Sequence, residues 1–137
     1  DWPSAATARF SLGDHRAVAE AAAHVTLESG HVGATYELSG PEALSGEDIA
    51  GLFQEALARA VELEITSPER WLEQARRAGP PRLDDRRLEA LAAMFRYYDR
   101  HGFVGNPTVL AHLLGRPPRT LRAVMGSWDA FDQKKRR

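Results

Sequence analysis

Gly30-His31-Val32-Gly33-Ala34-Thr35-Tyr36-Glu37-Leu38-Ser39-Gly40-Pro41-Glu42-Ala43-Leu44-Ser45 carries three structural signals in succession. Ala34 to Leu38 reads as a strand, Ser39-Gly40-Pro41 as a tight loop, and Ser45 as the cap of a helix. Ser45-Gly46-Glu47-Asp48 matches the [ST]-x-x-[DE] start signal, in which hydroxyl and carboxylate satisfy the first free backbone N–H groups. Beyond it Ile49, Leu52, Phe53, Ala56, Leu57 and Ala60 recur at helical spacing, the clearest amphipathic pattern in the chain.

Upstream, Thr7-Ala8-Arg9-Phe10-Ser11-Leu12 reads as a short strand closed by Gly13. Asp14 is placed to cap a helix whose Ala17, Val18, Ala21, Ala22 and Val25 form one apolar stripe. Downstream, Val61-Glu62-Leu63-Glu64-Ile65 alternates apolar and acidic residues, as a half-exposed strand does. Ser67 caps the next helix with Pro68 at its first position; it carries Trp71, Leu72 and Ala75 and ends at Gly79-Pro80-Pro81. From Asp84 a helix runs with Leu88, Leu91, Ala92 and Phe95 inward, to His101-Gly102. Asn106-Pro107 opens a short helix stopped by Gly115. Pro117-Pro118 begins the last, with Leu121, Val124, Met125 and Trp128 on its stripe.

This order predicts an α/β fold: a small, mostly parallel three-stranded sheet portion with crossover helices, followed by a C-terminal helical cluster. A helix separates each strand from the next, which favours parallel strands with right-handed crossovers. Three short strands are a thin sheet with open edges, so a partner is expected to cover them. Residues 1–133 read as a single domain and 134–137 as a basic tail.

Composition narrows the function. At 137 residues the chain is long enough to bury a core, and 43% hydrophobic with 27% charged residues is ordinary for a globular domain. Eighteen basic against nineteen acidic residues leave a net charge of -1, which argues against a nucleic-acid partner, since phosphate binding calls for a basic excess. No stretch approaches the ~20 apolar residues of a membrane span, and no signal peptide is visible; a cytoplasmic location is the expectation. The absence of cysteine excludes disulfides, thiolate chemistry and cysteine-ligated metals. The start at Asp1-Trp2-Pro3 suggests that further chain precedes it.

Asp14-His15-Arg16 with Val18-Ala19-Glu20-Ala21-Ala22, the Thr35 to Ser45 run, Tyr98 with His101-Gly102, and Leu114-Gly115-Arg116-Pro117-Pro118-Arg119-Thr120 together resemble the C-terminal half of NmrA-like proteins. These are NAD(P)-binding relatives in the atypical short-chain dehydrogenase/reductase superfamily. The resemblance runs from about Phe10 to Met125. It implies an N-terminal Rossmann half, which carries the nucleotide and is lacking here, and a substrate-binding half that closes over it. It also implies that Thr35 to Leu38 joins the large sheet of the other half. Members include quinone or ketone reductases and redox sensors, so NAD(P) is implied only with that half present. Three departures stand out. Ala17 occupies a position where the family usually has an acidic residue. Ala58-Arg59-Ala60 stands where it often has Gly-Arg-Pro. The Gly-rich dinucleotide loop and the Tyr-x-x-x-Lys pair are missing, since Tyr36, Tyr97 and Tyr98 are followed at i+4 by Gly40, His101 and Gly102, and no lysine precedes Lys134.

Ligands in open α/β sheets bind outside the carboxyl ends of the strands. With parallel strands, Gly13-Asp14-His15, Ser39-Gly40-Pro41-Glu42 and Thr66-Ser67-Pro68 converge on one rim. Asp14 and His15 then form an acid–base pair, or else a helix cap beside a surface histidine. Tyr98 and His101, three apart on one helix face, are the second catalytic candidates, or else a packed aromatic and a histidine favoured by the helix dipole. Trp71, Tyr97 and Phe103, with Trp128, are candidate walls for a small apolar or aromatic substrate, or simply core aromatics. His15, His24, His31, His101 and His112 show no metal-ligand spacing, so no metal is expected. Three functions follow: the substrate-binding half of a reductase or sensor, a free-standing cofactor-independent acid–base enzyme (isomerase, cyclase, dehydratase or epoxide-opening), and a non-catalytic interaction module. The expected partner is a Rossmann half or, for the second, a homodimer mate.

Overall fold

Each helix starts where a side-chain oxygen takes up one of the backbone N–H groups that a first turn leaves without a partner. The computed structural model describes residues 2–3, 7–77 and 84–127, and among these are six helices. Asp14 Oδ1 accepts from the Arg16 N–H at 3.0 Å and opens α1, His15–Leu27. Ser45 and Asp48 form the reciprocal capping box at the head of α2, Gly46–Leu57. Ser67 Oγ accepts from Arg70 N at the start of α3, Pro68–Arg77, and Asp84 Oδ1 from Arg87 N at the start of α4, Asp85–His101. Asn106 Oδ1 accepts from Thr108 N before α5, Thr108–Leu114, and Thr120 Oγ1 from Ala123 N before α6, Leu121–Met125.

Five of these starts lie where the sequence places them; α6 does not. It begins at Leu121 rather than at Pro117-Pro118. Pro118 disfavours the helical region for Pro117, so the two prolines lead into the Thr120 cap instead of forming the first turn. Two ends are set by left-handed residues: Gly115 closes α5 at φ 64°, and Ala58 closes α2 at φ 49°. Ala58 is the one non-glycine with positive φ among the described residues. It stands where the resembled family often has glycine, which reaches that conformation without the Cβ clash.

The helices pack in pairs: α3 on α4, α1 on α5, and α2 on α6. Ala17 and Ala21 of α1 meet Leu110 and Leu114 of α5, with Leu38 and Leu113 at the edge of the cluster. The small alanines let the two helices approach, which is how Leu110 becomes fully buried. Leu72 of α3 packs against Leu88 and Ala92 of α4, with Trp71 and Ala75 alongside. These two clusters bury Ala17 and Ala21 of the first stripe and Leu88 and Ala92 of the fourth helix, while Val18 and Ala22 of the first stripe and Ala56 and Leu57 of the α2 stripe are exposed.

The sheet differs from expectation. Among the described residues there are isolated bridges and no strands. Phe10 exchanges both backbone hydrogen bonds with Leu44, antiparallel, at 2.8 and 3.0 Å. On its other side Arg9 O accepts from Phe103 N and Ser11 N donates to Phe103 O, in parallel sense. Phe10 is thus the middle of a three-segment strip one residue deep. The strip stops there because Leu44 leads directly into the Ser45 cap and Phe103 directly follows the α4 cap, Gly102. Ile65 bridges Trp2 in parallel. Thr35 to Leu38 makes no backbone–backbone hydrogen bond among the described residues. Helix α3's predicted terminator Gly79-Pro80-Pro81, Trp128 and the 134–137 tail lie outside the described residues.

Candidate functional site

Two of the three predicted rim loops come together. Gly40 N donates to Ser11 O, and α6 joins them through Glu42, whose Oε2 accepts from Leu121 N at 3.4 Å. Gly40 is required here: a Cβ on it would stand 1.9 Å from the Leu12 carbonyl oxygen. The Thr66-Ser67-Pro68 loop is tied to Trp2 instead, through Thr66 N to Trp2 O.

Asp14 sits at this junction with its side chain 2% exposed, and Arg119 clamps it. Arg119 Nε donates to Asp14 Oδ2 at 3.0 Å, and Nη2 donates to the same oxygen. Burial pushes the Asp14 carboxyl up. The Arg16 N–H and the Arg119 guanidinium outweigh it, with a smaller pull from His15, so the pKa falls below the ordinary 3.8. Asp14 is therefore a fixed carboxylate that caps α1 and anchors the segment before α6. His15 points away, its side chain 90% exposed and its Nδ1 3.8 Å from Asp14 Oδ1. The geometry supports the cap reading of this pair rather than proton transfer. Arg119 lies inside the 114–120 motif, but nothing in sequence spacing pairs it with Asp14.

The second cluster is aromatic. Tyr98 meets Phe10 edge-on at 5.7 Å and Phe103 at 5.1 Å between ring centroids, while Trp2 caps Phe10 at 5.2 Å. Tyr97 lies over His101 at 4.6 Å, and both are exposed. Tyr97 and Phe103 are each 58% exposed, so Tyr97, His101 and Phe103 form an open aromatic platform around the half-buried Tyr98. Trp71 is elsewhere: it packs on Phe95 at 4.8 Å between α3 and α4, as a core aromatic does. Tyr97 and Phe103 are brought together; Trp71 does not join them.

One constellation escaped the sequence reading. His31 Nδ1 and the Tyr36 hydroxyl share a 2.6 Å hydrogen bond, and Glu28 Oε2 lies 3.8 Å from His31 Nε2. Positive-φ glycines at 30 and 33 fold the turn that brings His31 back onto Tyr36. The paired glycines are the only signal the sequence offers for it. No group of three or more histidine, aspartate or glutamate side chains suited to a metal occurs among the described residues. No described helix is long and apolar enough to cross a membrane.

A pyrophosphate needs a helix N-terminus with free N–H groups and a glycine-rich approach. Here α1 opens with a buried carboxylate and α2 with a closed capping box, both hostile to phosphate.

No protein-family model and no curated protein matches the chain. Solved structures do. It is similar to an NADPH-dependent quinone oxidoreductase of Escherichia coli, at 24% identity and TM-score 0.76, over 92% of this chain and 45% of the other. A Citrobacter sp. triphenylmethane reductase, complexed with NADP(H), aligns at 22% identity and TM-score 0.72, over 90% and 43%. A nucleoside-diphosphate-sugar epimerase of Staphylococcus aureus aligns at 19% identity and TM-score 0.74, over 90% and 42%. The chain has the fold of one part of these enzymes. It spans less than half the length of each.

Proposed function

We propose that this chain is the substrate-binding half of an NmrA-like NAD(P)-dependent reductase or redox sensor, acting with a Rossmann half that holds the dinucleotide. One observation carries the reading: nine-tenths of the chain matches less than half of an NADPH-dependent oxidoreductase. The segment Thr35 to Leu38, which makes no backbone–backbone hydrogen bond among the described residues, supports it as an edge ready for another strand. In this arrangement Tyr97, His101 and Phe103 form one wall of the substrate cleft, and the nucleotide half supplies the other. A flat aromatic wall suits an apolar or aromatic substrate, because ring stacking needs no buried polar partner. Tyr98 stands between these rings with a hydroxyl able to donate to a carbonyl oxygen.

The free-standing acid–base enzyme is the weaker reading, because its leading pair is committed elsewhere: Asp14 is held by Arg119, and His15 faces solvent. NADPH titrated into the 137-residue chain alone, then into the chain joined to or mixed with its nucleotide half, tests the proposal. Binding is expected only in the second case. Tight binding by the chain alone would overturn it.

A further inference from the structure

The turn after α1 brings three titratable side chains together, Glu28, His31 and Tyr36, none of them part of the aromatic platform or of the Asp14 anchor. Glycine at 30 and 33 is dictated by backbone and not by space: φ is +95° and +77°, and no atom lies within 4 Å of where either Cβ would stand. Ala34 N closes the turn on the His31 carbonyl at 3.1 Å. The imidazole then meets the Tyr36 ring at 5.7 Å between centroids, with Nδ1 2.6 Å from the hydroxyl. On its other edge Nε2 lies 3.8 Å from Oε2 of Glu28, the C-cap of α1.

These are the parts of an activated nucleophile: a hydroxyl, a base within hydrogen-bond reach, and a third group that orients the base. The Glu28 carboxylate favours the neutral tautomer with its proton on Nε2, which leaves Nδ1 to accept from the Tyr36 hydroxyl. When the base takes that proton, Glu28 faces the imidazolium that results. The His31 side chain is 20% exposed, so water competes little for its Nδ1. Glu28 is 64% exposed and screened by solvent, so its share is small. Glu28 and Tyr36 are the titratable groups that meet His31 among the described residues.

Tyr97 is the internal contrast. It is 58% exposed, whereas Tyr36 is half-buried. Its ring lies against His101, but its hydroxyl has no hydrogen-bonded base among the described residues. Exposure alone therefore makes Tyr97 the more reactive phenol, and base assistance makes it Tyr36.

We propose that Tyr36 is a base-activated nucleophile that takes the acyl group of a small activated ester, with His31 as its base and Glu28 as the counter-charge. The Tyr36 oxygen attacks the acyl carbon and a new C–O bond forms there. The bond to the leaving oxygen breaks, and its electron pair departs with that oxygen. The hydroxyl proton passes to His31 Nδ1 and from there to the leaving group, so atoms and charge balance and nothing is oxidised or reduced. Residues 32–35 and 37 around the pair are exposed, which leaves a small ester a route to the hydroxyl. The inference is independent of the reductase reading: it uses the side chain of Tyr36, whereas a strand added along 35–38 pairs with the backbone.

The test is acetylation of the full 137-residue chain by p-nitrophenyl acetate, with each acetylated tyrosine located and timed by peptide mass spectrometry. Tyr36 should acetylate about a hundredfold faster than Tyr97, the lower end of what a positioned base contributes. His31→Gln should bring Tyr36 down to the rate of Tyr97, with circular dichroism and the melting temperature showing that the variant is folded. Glu28→Gln should slow Tyr36 about threefold, the range of an exposed ion pair. The pH profile of the unaltered chain is a second readout that needs no variant. Acetylation of Tyr36 should level off once His31 is neutral, whereas an unassisted phenol keeps gaining about tenfold per pH unit towards its own pKa near 10. Tyr97 reacting as fast as Tyr36, a Tyr36 rate undiminished in folded His31→Gln, or a Tyr36 rate that climbs with pH like that of Tyr97 would each overturn the proposal. Should His31→Gln fail to fold, the profile of the unaltered chain decides alone.

Discussion

Replacing Arg119 by methionine strips Asp14 of its guanidinium clamp while keeping the apolar stem. Asp14 is then a carboxylate with its side chain 2% exposed, left with the Arg16 N–H at 3.0 Å. Removing one partner of a fully buried pair costs about 3–5 kcal/mol. Arg119 is itself 33% exposed, so water reaches one side of the pair and screens it. The expected loss is therefore about 2–3 kcal/mol. Asp14→Asn keeps a good cap and leaves an arginine that can turn to solvent, for about 1 kcal/mol. The double variant should cost less than the two singles added, by about 1–2 kcal/mol. Urea unfolding of the four proteins reads all three numbers. Acid adds a second check. The folded pKa of Asp14 lies below the ordinary 3.8, so between the two values the unfolded chain binds the extra proton. The stability this pair adds is present above the unfolded value and is lost as pH falls through the folded one. In Arg119→Met that acid loss should flatten. A single-variant cost under about 0.5 kcal/mol, or strict additivity, would refute the clamp.

Other consequences are as concrete. Ala58→Gly relieves the left-handed cap of α2 and should stabilise by about 1 kcal/mol in thermal or urea unfolding. Gly40→Ala drives a Cβ to 1.9 Å from the Leu12 carbonyl oxygen; a loss of about 3 kcal/mol is expected by the same assay. Tyr97→Ala should leave stability within about 0.5 kcal/mol, because the ring is largely exposed. In the enzyme joined to its nucleotide half, it should raise KM for an aromatic substrate about fivefold, the worth of one ring contact near 1 kcal/mol.

The helices were readable because their determinants are local. Ser45 with Asp48, Asp84, Ser67 and Asn106 announce their caps within three residues, and the stripes Ala17–Ala21 and Leu88–Ala92 are set by helical period alone. The bridges were not readable. Phe10 pairs with Leu44 and Phe103, partners that no period marks. The alternating pattern at Val61 to Ile65 looks the same whether it joins a ladder or a single bridge. The site divided along the same line. Tyr98 and His101, three apart, read as sharing one helix face; the ring that lies against His101 is that of Tyr97, four residues before it. The tie between Asp14 and Arg119 joins opposite ends of the chain, and no sequence period announces it. Pairing across long sequence separation is decided by packing, which a single sequence does not spell out.

Amide hydrogen exchange at Thr35, Tyr36, Glu37 and Leu38 tests the central claim most directly. In the 137-residue chain alone these amides should exchange at rates near those of an open segment, since they have no backbone partner among the described residues. Supplied with the nucleotide half, in the same polypeptide or beside it, they should become protected together as one strand. Protection already complete in the chain alone, or none gained when the nucleotide half is present, would contradict the account.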